Sequence, residues 1–233
     1  MPTARVFIIS NLNPGRRAAQ WLCFRTNMNV TDTPSASARA ASKNNSLPVG
    51  KQKKPTHLPF NRFAAIDFET ADYGRDSACA VAVVVAQEGR ILKQMNSLIR
   101  PPRPNFVFSY LHGITWRDVA QKPMFNELWP TILAMFEGVD FIAAHNASFD
   151  RGVLNACCDT SGLTPLDAPY LCTMKLARRL WNLHPTKLSD VCCHFGIPLK
   201  HHDAASDALA CASIVLKAAD QGAHTGAFLG KRR

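Results

Sequence analysis

Phe63-Ala64-Ala65-Ile66-Asp67-Phe68-Glu69-Thr70 decides the reading of this chain. Four apolar residues run into two carboxylates that stand two positions apart. In a β-strand, successive side chains alternate between faces, so Asp67 and Glu69 point one way and Phe68 the other. The stretch predicts a buried strand with a pair of acids at its C-terminal end. Hard divalent cations take oxygen ligands of this kind. Alone, an Asp-x-Glu is no more than a solvated strand end. Two more acid-bearing segments follow it in order, His145-Asn146-Ala147-Ser148-Phe149-Asp150 and His202-Asp203-Ala204-Ala205-Ser206-Asp207.

Outward from this strand, the pattern first predicts a meander. Ala78–Ala86 is a valine-rich apolar run, Gln87-Glu88-Gly89-Arg90 reads as a hairpin turn, and Ile91–Ile99 is a third strand. Arg100-Pro101-Pro102 ends it, because proline cannot donate to a ladder. Trp116 to Ala120 and Met124 to Phe136 read as helices, and Phe141–Ala144 as a short buried strand. A helix over Ser148–Cys158, a strand edge at Tyr170–Thr173, and helices over Met174–Trp181, Leu188–Phe195 and Ala204–Ala219 complete the series. Strands first, then alternating helices and strands, imply an α/β fold with a mixed sheet flanked by helices.

The chain has 233 residues and a formal charge of +10. Residues 1–58 carry nine Lys or Arg and one acid, Asp32, so the remainder is close to neutral. This first segment is rich in Ser, Ala and Asn, holds the basic run Lys51-Gln52-Lys53-Lys54, and is expected to be a disordered tail. Its Arg-rich, acid-poor start also resembles a transit peptide, and translation from Met28 is an alternative. Residues 221–233 are expected to be a basic C-terminal tail. No stretch approaches the roughly 18 apolar residues that span a membrane. Eight cysteines lie mostly within apolar patterns, without the spacing of a disulfide scaffold or of a zinc site, which points to buried thiols and a cytoplasmic setting.

The three acid segments together resemble the DEDDh 3'-5' exonucleases, the family that includes the proofreading subunit of bacterial DNA polymerase III. Asp67, Glu69 and Thr70 match the first motif, His145-Asn146-x-x-Phe149-Asp150 the second, and His202 with Asp207 the third. A tyrosine-type relative would carry Tyr where Asp203 stands. The resemblance covers Phe63 to Leu216 and places an exonuclease domain over residues 59–220. It implies a ribonuclease H-like sheet: an antiparallel three-strand meander joined by parallel strands.

The resemblance also implies roles. Asp67, Glu69, Asp150 and Asp207 would hold two divalent cations, Mg2+ or Mn2+, and His202 would act as the general base. Asp67 would be shared between the ions. His112, in Leu111-His112-Gly113-Ile114-Thr115, is expected to contact the terminal nucleotide, with Thr70 and Phe149 beside it. On a continuous helix, His202 and Asp207 would stand about 140° apart. His202 is therefore expected on the loop entering the last helix, with Asp203 or Ser206 near the cap. His201 is its rival, and only the family spacing selects His202.

The chemistry implied is hydrolysis of a phosphodiester at the 3' end of single-stranded DNA, releasing nucleoside 5'-monophosphates in proofreading or repair. RNA trimming and an inactive nucleic-acid-binding module of the same fold are the alternatives. A DNA polymerase is an implied partner.

Overall fold

Five strands form one mixed sheet in the order β3-β2-β1-β4-β5. They are β1 (Arg62–Thr70), β2 (Ala78–Gln87), β3 (Arg90–Leu98), β4 (Phe141–Ala144) and β5 (Tyr170–Cys172). The first three pair antiparallel, whereas β4 joins β1 and β5 joins β4 in parallel. This computed structural model describes residues 62–230. The expected basic segment 1–58, the possible start at Met28 and the last three residues lie outside the described residues. The arrangement is the predicted ribonuclease H-like sheet.

Seven helices are described. They are α1 (Ser109–His112), α2 (Trp116–Val119), α3 (Phe125–Met135), α4 (Ala147–Thr160), α5 (Thr173–Trp181), α6 (Leu188–Phe195) and α7 (Ala204–Asp220). The period-two pattern of the strands divides the core between two faces. Phe63 and Ala65 of β1 and Ala80, Ala82, Val84 and Ala86 of β2 face α5, α6 and α7. Ala64, Ile66 and Phe68, with Val81, Val83 and Val85, face α3 and α4. The first face of β2 is mostly alanine, and α7 answers with Ala208 and Ala212. Small side chains on both surfaces let the helix sit close to the sheet, as dense interior packing requires. That close approach brings the start of α7 to the end of β1.

Two departures from the predicted elements concern the chain ends and loops. The one-turn helix α1 falls in a segment for which no element was predicted. Residues 221–230 are not a free tail. Thr225–Phe228 forms a 3-10 turn, Leu229 bridges Leu171, and the Gly230 N–H donates to the Tyr170 carbonyl at 2.7 Å. Ala223 and Thr225 are buried. Among the described residues, no helix is long and apolar enough to cross a membrane.

Candidate active site

Asp67 and Glu69 project from β1 on the face that carries α7, because they share parity with Phe63 and Ala65. The ladder shifts register between Glu69 and Thr70, which ends regular pairing at the acids. Asp207 lies in the first turn of α7. One oxygen from each of Asp67, Glu69 and Asp207 lies within 4.8 Å of the others. Asp150 approaches from the opposite face. Because β4 runs parallel to β1, the start of α4 falls beside the C-terminal end of β1. There Asp150 Oδ1 accepts the Phe68 N–H at 3.2 Å. It stands outside the set of three but against the same strand end.

These acids are not at ease together. Burial first, then the charges of Asp150, Asp207 and Glu69, raise Asp67 well above the usual carboxylate range. Burial and the Asp207 charge push Glu69 up to about 7. Burial likewise pushes Asp150 to about 8, although the Phe68 N–H opposes it. Burial also raises Asp207, against the hydrogen bond from His201. Asp207 Oδ1 is buried and has no hydrogen-bond partner among the described residues. A divalent cation would satisfy that oxygen and reverse the sign of the local field. The residues present thus fit such an ion.

The histidine pair sits on the turn before α7, as expected, and Asp203 is the N-cap, accepting the Ser206 N–H at 3.2 Å. The two rings stack with centroids 3.9 Å apart. His201 Nδ1 donates to Asp207 Oδ2 at 3.1 Å, and the His202 backbone N–H donates to the same oxygen at 3.2 Å. His202 has φ +65° and turns its ring into the pocket, where burial and His201 lower its pKa.

Thr70, His112 and Phe149 all line this pocket, of about 710 Å³. His112 Nε2–H donates to the Thr70 carbonyl at 3.2 Å, while Nδ1 accepts the Ile114 N–H at 3.0 Å. Both ring nitrogens are therefore committed to the backbone, and only the ring carbons are left for a ligand. The neutral form this requires agrees with its lowered pKa, whose first cause is burial.

The sequence reading overlooked the far wall, built by Met174, Arg178 and the loop His184–Lys187. His145 ties this loop to the sheet. Its Nδ1 accepts from the Thr173 hydroxyl at 2.9 Å, and its Nε2–H donates to the Thr186 carbonyl at 3.0 Å. Burial pushes His145 down to about 4, so it holds the wall as a neutral ring. The polar run between two predicted helices, broken by Pro185, was the available signal.

Residues 64–215 match the RNase T family, described as Exonuclease. The chain belongs to this exonuclease family. It is 31% identical over 159 residues to the PolC-type DNA polymerase III of Thermotoga petrophila, covering 66% of this chain and 12% of that protein. It is 37% identical over 117 residues to exodeoxyribonuclease 10 of Escherichia coli K12, covering 50% of this chain and 47% of that protein. The chain thus spans under half of either relative. Exonuclease X in complex with 5' overhanging duplex DNA superposes with a TM-score of 0.57 at 29% identity, over 68% of this chain and 92% of that one. The nuclease domain of 3'hExo, a DEDDh family member bound to rAMP, gives a TM-score of 0.64 at 17% identity, over 75% and 98%. The latter likeness is one of fold. This member of the family carries an acidic cluster of the kind that divalent-ion chemistry uses.

Proposed function

We propose that this exonuclease removes nucleotides from the 3' end of DNA, with two divalent cations, Mg2+ or Mn2+, as cofactors. The observation that carries the reading is the convergence of Asp67, Glu69 and Asp207, with Asp207 Oδ1 buried and unpartnered among the described residues. Asp67, Glu69 and Asp207 would hold one cation, and Asp150 would help to hold the other. Bound there, such ions supply charge neutralisation at the scissile phosphate and a lowered pKa for the attacking water. His202 takes the proton from that water, a role suited to a neutral imidazole with a depressed pKa. Phe108, Leu111 and Phe149 give the terminal nucleoside an apolar wall. The choice of DNA rests on the names of the relatives, a DNA polymerase, an exodeoxyribonuclease and an exonuclease bound to DNA. Association with a polymerase is the corresponding partner.

The test is a time course on 5'-labelled single-stranded DNA and on RNA of the same sequence, with Mg2+ or with excess chelator. Stepwise shortening of the DNA that needs Mg2+ and vanishes in Asp67→Ala is expected. Full activity in chelator or in Asp67→Ala would overturn the metal-dependent mechanism. Faster shortening of the RNA would move the substrate to the other sugar.

A further inference from the structure

A second groove, of about 530 Å³, opens on the far side of Asn146, the one residue it shares with the catalytic pocket. Helix periodicity builds its two long walls. Ser148, Arg151 and Asn155 stand at i, i+3 and i+7 on α4, and Lys175 and Arg179 stand at i and i+4 on α5. The third wall is the C-terminal segment Ala227–Gly230, held by its bridge to β5. Three cations line the groove and no acid does. Lys175 and Arg179 are exposed, and neither forms an ion pair among the described residues. Arg179 lies over the Phe228 ring at 5.0 Å and Arg151 over the Tyr170 ring at 5.5 Å. The Phe228 ring fixes Arg179 in place without neutralising it.

The catalytic pocket holds four carboxylates, and DNA is a polyanion. A long strand therefore gains little from the acid cluster beyond its terminal nucleotide. We propose that this groove carries the sugar-phosphate backbone of the substrate strand, upstream of the nucleotide in the catalytic pocket. The assignment rests on the exonuclease reading for the identity of the polyanion. Length supports it. Ser148 to Asn155 spans about 10 Å of helix, which accommodates two to three phosphates at the spacing of a stacked strand. Lys175 and Arg179 then act as phosphate contacts, which set affinity and register but read no sequence.

The test separates this groove from the catalytic site by substrate length. Lys175→Gln and Arg179→Gln are made singly and together, and Tm and circular dichroism confirm the fold. KM is measured on a dinucleotide and on a 15-nucleotide single strand. Equilibrium binding of the 15-mer is followed against NaCl in chelator, where no turnover interferes. The double variant should raise KM for the 15-mer by about tenfold and leave the dinucleotide unchanged. The slope of log K against log salt should flatten by about 0.7 for each cation removed. Lys175→Gln alone, which leaves the Phe228 contact intact, should show half of the change in slope. An unchanged 15-mer KM and salt slope in the folded double variant would overturn the groove, as would an equal loss on the dinucleotide. If wild-type protein degrades neither substrate, the exonuclease reading fails, while the binding slope still decides whether the groove takes DNA.

Discussion

Two adjacent histidines share one carboxylate oxygen, and they do so differently. His201 reaches Asp207 Oδ2 with its ring, whereas His202 reaches it with its backbone N–H. The left-handed backbone at His202, φ +65°, is what frees the second ring for the pocket. His202→Ala should therefore lower kcat by about 10²–10⁴-fold while Mg2+ affinity persists, as expected for a lost general base. The acidic limb of the pH–rate profile should vanish with it. His201→Ala removes a hydrogen bond to a proposed metal ligand. It should raise the Mg2+ concentration for half-maximal rate by about tenfold, with kcat recovered at saturation. Titrating both variants with Mg2+ decides the matter, and the opposite pattern would exchange the two assignments. The sequence could not separate these neighbours by geometry, because a turn of positive φ leaves no mark in a hydrophobic pattern. The acids were legible for the converse reason. Strand parity alone puts Asp67 and Glu69 on one face, whereas Asp207 was selected by the spacing of the third family motif.

At the scale of elements, regular segments were read closely and their connections were not. Phe141–Ala144 and Leu188–Phe195 occupy the predicted residues, since each has a clear apolar pattern between polar breaks. The one-turn helix Ser109–His112 has too few residues to show a period, and it buries none. The loop between β1 and β2 was equally silent, yet it braces the pocket. Arg103 clasps Asp72 and Asp76 with four hydrogen bonds, and this fixes the loop. From it, Arg75 crosses α4, donating to the Phe149 carbonyl at 3.1 Å with its guanidinium 5.6 Å from the Phe149 ring. Gly152 makes room for this crossing. A Cβ there would collide with the Arg75 side chain, which is flexible and can move aside. Gly152→Ala should thus displace Arg75 without unfolding α4, since alanine favours the helix by about 1 kcal/mol over glycine. Phe149 then loses its brace, and KM for a DNA 3' end should rise several-fold while Tm stays level or increases. Arg75→Gln should raise KM similarly. Unchanged KM in both variants would remove Phe149 from the substrate wall or show that its position needs no brace.

For the molecule as a whole, the net charge of +10 misdirects. Most of the excess lies in residues 1–58, whereas the proposed chemistry gathers around four acids in a nearly neutral remainder. That convergence arises from topology. The parallel placement of β4 beside β1 delivers Asp150, and the alanine face of β2 delivers Asp207. Burying four acids together has a consequence for stability that can be measured. In metal-free protein, Glu69 is raised to about 7 and Asp150 to about 8, and Asp67 and Asp207 are raised too. An unfolded chain ionises these groups near pH 4. Between about pH 4 and pH 8, the folded state therefore holds protons that the unfolded state has released. Under that condition, stability falls as pH rises. The contribution is fully present below the unfolded values and is lost as pH passes the folded ones. Divalent ions bind the deprotonated acids, so their stabilising effect should run the other way. Melting curves in chelator should show these acids lowering Tm from pH 5 to pH 8, and excess Mg2+ should restore more of it at pH 8 than at pH 5. Asp67→Ala removes one charge from the cluster and one proposed ligand. Its Tm in chelator should exceed that of the parent at pH 8, and its response to Mg2+ should be largely lost. A Mg2+ response in the parent that does not change with pH, or that survives in Asp67→Ala, would show that the four acids do not act as one ion-binding unit.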